Sequence, residues 1–532
     1  YGFGCLGRLK SHVDPGTMAL VRFCLVLLGA VSLASFSLGC ASVHDATPLS
    51  CPDGQYASAG QCLCDSSDAP PVEGSCAPVD PQCELGDCVD DGNPCTAPAC
   101  VEGSETCTNE PVADDTACEL GSSVGVCAQG ECTPAPWELG TAFKIADTDE
   151  EVSTPLVAVA ADGRAMALWS EGDDVRASAF DPEVGWEAPL VVEPEHVPER
   201  GIALGMDAAG NAIALYTRLQ QGAIELVAEG YSAERGAWDS FAVISEEAAV
   251  TDAPQVAVTQ GGEAVAVWWQ APNEIALARG SSGSMSWEPS EVLTLDDGLD
   301  KKEPHVSLDS DGEGAVVYRA ADPAGGPGSE SIWASIISTD AVAAPSQISG
   351  DVNWVRDARI AAGASGELMV VWEEVNDLLH ARFANDAWGV PAPVEEASGG
   401  VASPDIKVDG DGDFHVAWLQ DADARTRRFV SDGAAWDDVR VLLVSTSEDA
   451  RAPALAAPPN GAARVSWAQD QHVRLSVFEG DSGWGPFLKL SSELEPPALD
   501  VQGPRVGVAT DGTEVVVWAD GSEIWTWADR PD

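Results

Sequence analysis

PQVAV at 254–258, TQGG at 259–262, EAVAVWW at 263–269, EIALAR at 274–279 and WEPSEVLTL at 287–295 follow one another as a single unit. In the second run Val265 and Val267 fall on one face and Ala264, Ala266 and Trp268 on the other, which is the two-residue period of a strand. The glycine-bearing turn before it suits a tight hairpin, where residues tolerant of positive φ are needed. Four short runs separated by turns therefore predict four antiparallel strands.

The unit recurs. Aromatic residues close the second run at Trp169, Tyr216, Trp268, Tyr318, Trp372, Trp418, Trp467 and Trp518, with spacings of 47, 52, 50, 54, 46, 49 and 51. A second series falls between them, at Trp137, Trp186, Trp238, Trp287, Trp388, Trp436 and Trp484, and misses only the fourth unit, near Asp340. DG pairs at 162–163, 311–312 and 511–512 sit between first and second runs. A helical solenoid would need apolar residues every three or four positions and fewer β-branched ones. Four antiparallel strands per repeat describe a propeller blade, and eight anchors predict eight blades. The stretch WELGTAFKIA at 137–146 matches a fourth strand, yet it precedes the first strand of the first unit, PLVAV at 155–159. The last unit stops after three runs, so this N-terminal strand is expected to complete the last blade and leave no open edge. The expected fold is all-β, an eight-bladed β-propeller closed by an N-terminal strand and preceded by a small disulfide-rich segment that emerges near Asp532.

Composition divides the protein near TPAP at 133–136, because all fifteen Cys lie between Cys5 and Cys132 and all eighteen Trp between Trp137 and Trp527. The expected domains are 1–39 (upstream residues and signal peptide), 40–132 (Cys-rich), 133–136 (linker) and 137–532 (propeller). Met18, Arg22, the apolar run 23–38 and then Gly39 and Cys40 have the layout of a secretory signal. SLGC at 37–40 resembles a bacterial lipobox, which implies Cys40 as the first mature residue and the lipid attachment point. A plainly cleaved signal and an uncleaved anchor helix remain the alternatives. All three export the rest of the protein, to the cell envelope (the outer membrane) or beyond it.

Twelve Cys follow, at Cys51, Cys62, Cys64, Cys76, Cys83, Cys88, Cys95, Cys100, Cys107, Cys118, Cys127 and Cys132, in a stretch with few large apolar residues. Such a segment has no core, so disulfides are expected to hold it, with connectivity left open. Zinc is the rival, but CLC at 62–64 lacks the two-residue spacer and no His pair accompanies it. DDGNPCTAPAC with GVCAQGECTP resembles Cys-rich modules of bacterial surface proteins and, more loosely, EGF-like modules, which implies a spacer or adhesion role.

The formal charge of −60, from 87 acidic and 27 basic residues, argues against a nucleic-acid partner. No HExxH, GxSxG, phosphate-binding GxxxxGKS loop or strand-borne GxGxxG occurs. The repeats resemble exported bacterial propellers of the PxVAVxxDGxAxAVW type and, distantly, the sialidase-like group. That second likeness implies an arginine cluster, a tyrosine nucleophile with a Glu partner and an early Arg-Ile-Pro run. Only Arg359 and Ile360 approach the last, in the fifth unit, and Tyr216 and Tyr318 fill anchor positions, leaving Tyr231.

Scattered histidines, with His196 and His305 expected in loops and His415 in a strand, show no ligand spacing. No cofactor is expected, apart from the calcium that Asp409, Asp411 and Asp413 in VDGDGDFHVAW suggest. The sister turn TQGG is not acidic, and Phe414 and Gln420 exclude an EF-hand loop. Loops gathered at one mouth of the ring are expected to carry Lys301, Lys302, Trp354, Arg356 and Arg451 as ligand-binding candidates, beside the insertion 320–331. The expected function is a noncatalytic cell-surface lipoprotein that binds a protein or glycan and meets the membrane only through its lipid. The alternative is a divergent sialidase-like glycoside hydrolase.

Overall fold

A computed structural model describes residues 139–530 apart from short stretches, the longest being 492–502. N-terminal to these it describes 55–58, 61–64, 91, 93, 95–100, 107–112, 117–120 and 123–134. Eight antiparallel sheets of four or five strands follow one another, the first seven running outward in sequence order from their first strands. Each first strand touches the first strands of the blades before and after it, and that of the eighth, Arg505–Val508, touches that of the first, Leu156–Val159. The sheets thus close into an eight-bladed propeller with the first strands innermost.

Closure uses the N-terminal strand as expected. Ala142–Asp147 is the fourth strand of blade 8, pairing antiparallel with Glu523–Asp529 so that Phe143 faces Thr526 and Ala146 faces Ile524. Trp137 lies outside the described residues.

Why the anchors recur in phase is visible in the packing. Eight apolar clusters fill the propeller, one between each pair of successive blades, including one that joins blade 8 to blade 1. Every anchor aromatic points into the cluster shared with the preceding blade, and each is at most 2% exposed. Truncating one would cost about 3–5 kcal/mol. Because blades are sandwiched on both sides, second strands such as Ala165–Glu171 are buried along almost their whole length. The Trp indoles find polar partners two residues on, on the same face. Trp169, Trp268, Trp372, Trp418 and Trp467 donate to Glu171, Gln270, Glu374, Gln420 and Gln469 at 3.0–3.4 Å.

The outer Trp series packs against an aromatic of the neighbouring third strand: Phe180 with Trp186, Tyr231 with Trp238, Phe383 with Trp388, Phe429 with Trp436 and Phe478 with Trp484, at 5.1–5.6 Å. In blade 4 Val342 faces Ile337 instead. The hairpin glycines behave as their chemistry requires, with Gly163, Gly312 and Gly512 at φ 89°, 78° and 90°.

The protein divides into two compact units, 1–83 with 101–106 and 84–100 with 107–532. The first contains, among its described residues, the hairpin Gln55–Ser58 and Gln61–Cys64. The second holds the propeller together with two small sheets, so it begins well before the composition break near 133. Glu131–Pro134 is a strand of one of these sheets and runs two residues into the stretch read as a linker.

Candidate functional site

The eight first strands surround a central channel of about 560 Å³. The strand register puts one residue of each blade at a common level, opposite the position just before the anchor aromatic. In blades 4, 5, 6 and 8 these residues are His305, Arg359, Asp405 and Arg505, paired with Val317, Val371, Ala417 and Val517. In blades 1, 2, 3 and 7 they are Leu156, Ala203, Gln255 and Ala454. All eight line the channel, and Lys407 joins them two residues further along blade 6. One side of the ring is therefore charged and the other mostly apolar.

The polar members reach across to the neighbouring first strand, whose inner edge has no further strand to pair with. The N–H of Leu455 donates to Asp405 at 2.8 Å, and that of Ile360 to Nδ1 of His305 at 3.4 Å. That bond places the His305 ring proton on Nε2. Burial, then the charges of Arg359 and Lys407, hold His305 well below its ordinary value, so the ring is neutral. Burial also lowers Arg505, opposed by Asp405 and aided by Arg359. The Arg505 side chain makes no hydrogen bond or ion pair among the described residues. Arg359 donates to the carbonyl of Ala358 at 3.1 Å, and Lys407 lies 3.9 Å from Asp405, whose oxygens also accept from Ile406 and Leu455.

One mouth is shaped by a recurring β-bulge. Ala253, Glu303, Asp357, Ser403 and Ala452 sit at the same place in blades 3 to 7 with φ between 27° and 57°, each at a register shift between first and second strands. The expected binding residues are at or near this rim. Lys301, Lys302, Arg356 and Arg451 belong to the starts of first strands rather than to loops, and Trp354 just precedes one. Lys301 is buried against Asp297 and offers nothing to a ligand, whereas Lys302 is exposed. Arg356 stacks on Trp354 at 4.4 Å and its Nε donates to Glu373 at 2.6 Å. Glu373 also accepts the Ser403 N–H of the next blade at 2.8 Å. The rim thus brings Trp354 and Arg356 together as one unit. His305, expected in a loop, lies within the strand Asp300–Leu308 and lines the channel, because the bulge at Glu303 lets the strand continue past Pro304.

The acidic turn of blade 6 is committed internally. Asp409 accepts the N–H groups of Asp411 and Asp413 on one oxygen and meets Nε2 of His415 at 2.7 Å on the other. Asp413 accepts from Ser431 and Arg428. Asp207 and Asp309 cap the equivalent turns of blades 2 and 4 in the same way, so the pattern is hairpin chemistry. Among the described residues no group of three or more His, Cys, Asp or Glu is placed to hold a metal ion. Among the described residues one tyrosine–glutamate pair occurs, Tyr216 donating to Glu229 at 2.5 Å, but it belongs to blade 2 and lies by the core between blades 1 and 2, outside the channel lining. Burial and the Glu229 bond drive the Tyr216 hydroxyl pKa far upward, the opposite of nucleophile activation. Tyr231 lies against Trp238, also away from the channel.

Of the Cys-rich residues, Cys95 and Cys127 form a disulfide, both buried, and Cys132 is also disulfide-bonded. Cys40, Cys51, Cys76, Cys83 and Cys88 lie outside the described residues, as do the side chains of Cys62, Cys64, Cys107 and Cys118 and, at its strand end, Cys100.

No family model matches this protein, and no curated protein matches it. Among solved structures it is similar to the Dos1 propeller at 8% identity and TM-score 0.46, covering 73% of this chain and 94% of that one. It is similar to the BP39L lectin of Burkholderia pseudomallei at 14% identity and TM-score 0.47, covering 64% and 100%. A Hadza microbial sialidase matches at 11% identity and TM-score 0.35, covering 74% and 91%.

Proposed function

We propose that this protein is an exported, noncatalytic binding protein of the cell envelope, lipid-anchored through Cys40, whose propeller takes a protein or glycan at the mouth and interior of its channel. The observation that carries this reading is the state of the carboxylates there. Glu303 pairs with Arg319 at 3.1 Å, Asp357 lies 3.7 Å from Arg356, and both oxygens of Asp405 accept backbone N–H groups. Each is thus engaged on at least one oxygen, Glu303 keeping Oε2 without a partner, whereas glycoside hydrolysis works through a pair of carboxyl groups free to act as acid and base. What the channel and rim present instead is guanidinium, ammonium and indole surface, which suits recognition.

A sialidase-like hydrolase is the second reading, favoured by the Tyr216–Glu229 pair and by Arg359 in the channel. It is weakened because the pair and the arginine are on different parts of the blades and Tyr216 is locked in its neutral form. The test joins two assays on residues 41–532. A glycan array with an envelope pull-down should find a partner lost in Trp354→Ala with Arg356→Ala, and sialoside hydrolysis should stay at the buffer rate. Turnover that depends on Tyr216 would reverse the assignment. Labelling of the full-length protein with a lipid precursor, lost in Cys40→Ser, tests the anchor.

A further inference from the structure

We propose that the central channel is a specific oxyanion site, in which Arg359, Lys407 and Arg505 close on a sulfate, phosphate or carboxylate group, beside the Nε2 side of His305. The inference deepens the binding reading above by naming the chemistry of its ligand, and it rests on that reading.

In a protein with 87 acidic and 27 basic residues, three bases from three blades line one channel at adjacent levels, with Asp405 at their level and two further acids, Glu303 and Asp357, at the bulged rim. Arg359 and Arg505 are half-buried and the Lys407 side chain is 43% exposed, so their like charges repel across a partly hydrated channel and a counter-charge between them is favourable. Asp405 does not suffice, since two backbone N–H groups already occupy it and Lys407 is 3.9 Å away. The acids at the rim, Glu303 and Asp357, have their own partners in Arg319 and Arg356. The Arg505 side chain is left with no partner among the described residues and that of Arg359 with one backbone carbonyl, so both retain donors.

A two-pronged guanidinium suits an oxyanion's geometry, and two of them with an ammonium neutralise a charge of about −2 once Asp405 is subtracted. The neutral state of His305 fits the same purpose, because it adds an N–H without further positive charge. A volume of about 560 Å³ holds such a group with its waters, or the end of a saccharide bearing it.

The source of the oxyanion, a free ion or one carried on an acidic glycan, is separated by the test. Calorimetry on the full-length protein at constant ionic strength uses sodium sulfate in one arm and a sulfated disaccharide in the other. One saturable site for sulfate is expected. Arg359→Gln and Arg505→Gln should each weaken it roughly tenfold or more. Lys489→Gln, on the exposed outer strand of blade 7, should leave it unchanged.

Sulfate stabilises proteins generally, so melting is compared between wild type and variants. In chloride Arg505→Gln should unfold no lower than wild type, since it removes an uncompensated charge, and in sulfate it should lack the wild-type gain. If that variant does not fold, Arg505→Lys serves, keeping the charge but losing the fork. Disaccharide binding in competition with sulfate assigns the group to a glycan, and sulfate binding alone assigns it to a free ion. Absence of saturable sulfate binding to the folded protein, or equal binding by both glutamine variants, overturns the channel site. The rim's partner in the array and pull-down would survive that result, so the two readings fail separately.

Discussion

The ammonium of Lys144 meets the carboxylate of Glu523 at 2.9 Å, across the seam where the first strand of the ring joins the last blade. Backbone pairing over Ala142–Asp147 does more for this seam than the ion pair, because Ile145 and Ala146 also enter the cluster that binds blade 8 to blade 1. A protein beginning at Thr148 should therefore unfold several degrees lower and associate through the bared edge of Glu523–Asp529. Lys144→Ala, which removes a half-exposed pair, should cost only about 0.5 kcal/mol. Calorimetry and sedimentation velocity on both check this, and a monomeric, equally stable deletion would show that the seam strand is dispensable.

A second seam contact is steric. A Cβ on Gly507 would stand 2.3 Å from Val159 Cγ2, where the first strands of blades 8 and 1 approach, and Gly205 faces Val258 in the same way at 2.5 Å. Gly507→Ala should destabilise by about 1–3 kcal/mol through overpacking. Adding Val159→Ala should recover part of that loss, so denaturant titration of the double-mutant cycle should show favourable coupling. Additive losses would mean that the two strands separate at no cost.

The eightfold phase and the closure are legible in the sequence because both are carried by what repeats, a buried aromatic every fifty residues or so and a fourth strand displaced to the front. The channel is carried by what varies. In the recurring PxVAV the x residue reads Leu156, Gln255, His305, Asp405, Ala454 and Arg505 in the six blades that have the Pro, with Ala203 and Arg359 completing the ring. No constant chemistry marks that position in the repeat. By motif alone Arg359 stands out only as half of an incomplete run, and His305 reads as a loop residue because a bulge beside a Pro looks like a strand's start. The x column carries the charged half-ring. Lys301, by contrast, reads as available because its burial against Asp297 depends on a loop conformation that composition does not encode.

The bond from Trp268 to Gln270 at 3.3 Å occupies a buried indole N–H, and Gln270 in turn donates to Glu274. Gln270→Leu keeps the bulk but orphans the indole, so a loss of about 1–3 kcal/mol is expected in chemical denaturation. Blade 8 shows the alternative the fold tolerates: Trp518 has no partner for its N–H among the described residues and stacks on Trp525, with ring centres 6.5 Å apart. A neutral effect of Gln270→Leu would show that these pairs are incidental to the repeat.

His305 makes stability depend on pH in a definite direction. Its folded pKa lies well below the ordinary 6.5, so under mildly acidic conditions the unfolded protein binds a proton that the folded protein refuses. Its contribution is whole above 6.5 and is lost as pH falls toward the folded value. His305→Gln should remove that loss, narrowing the gap between neutral and acid stability by about 1 kcal/mol at about pH 5.5. Unfolding free energies of both proteins across pH 5 to 8 decide it, and parallel profiles would mean that the imidazole is not shielded as its position implies.

The Tyr216–Glu229 pair separates structure from catalysis. Burial raises both groups, with the bond to Glu229 adding to the tyrosine's shift, while Tyr216's own bond restrains that of Glu229. Because the folded phenol keeps its proton beyond the ordinary value near 10, the stability it confers is present below that pH and is lost as alkalinity increases. Tyr216→Phe leaves Glu229 half-buried without this donor, so a loss of about 1–3 kcal/mol is expected at neutral pH, together with a shallower decline above pH 10. Ligand and sulfate affinities should not change, since neither residue lines the channel. A variant that kept its stability while losing an activity or a ligand would move the functional centre from the channel to the interface between blades 1 and 2.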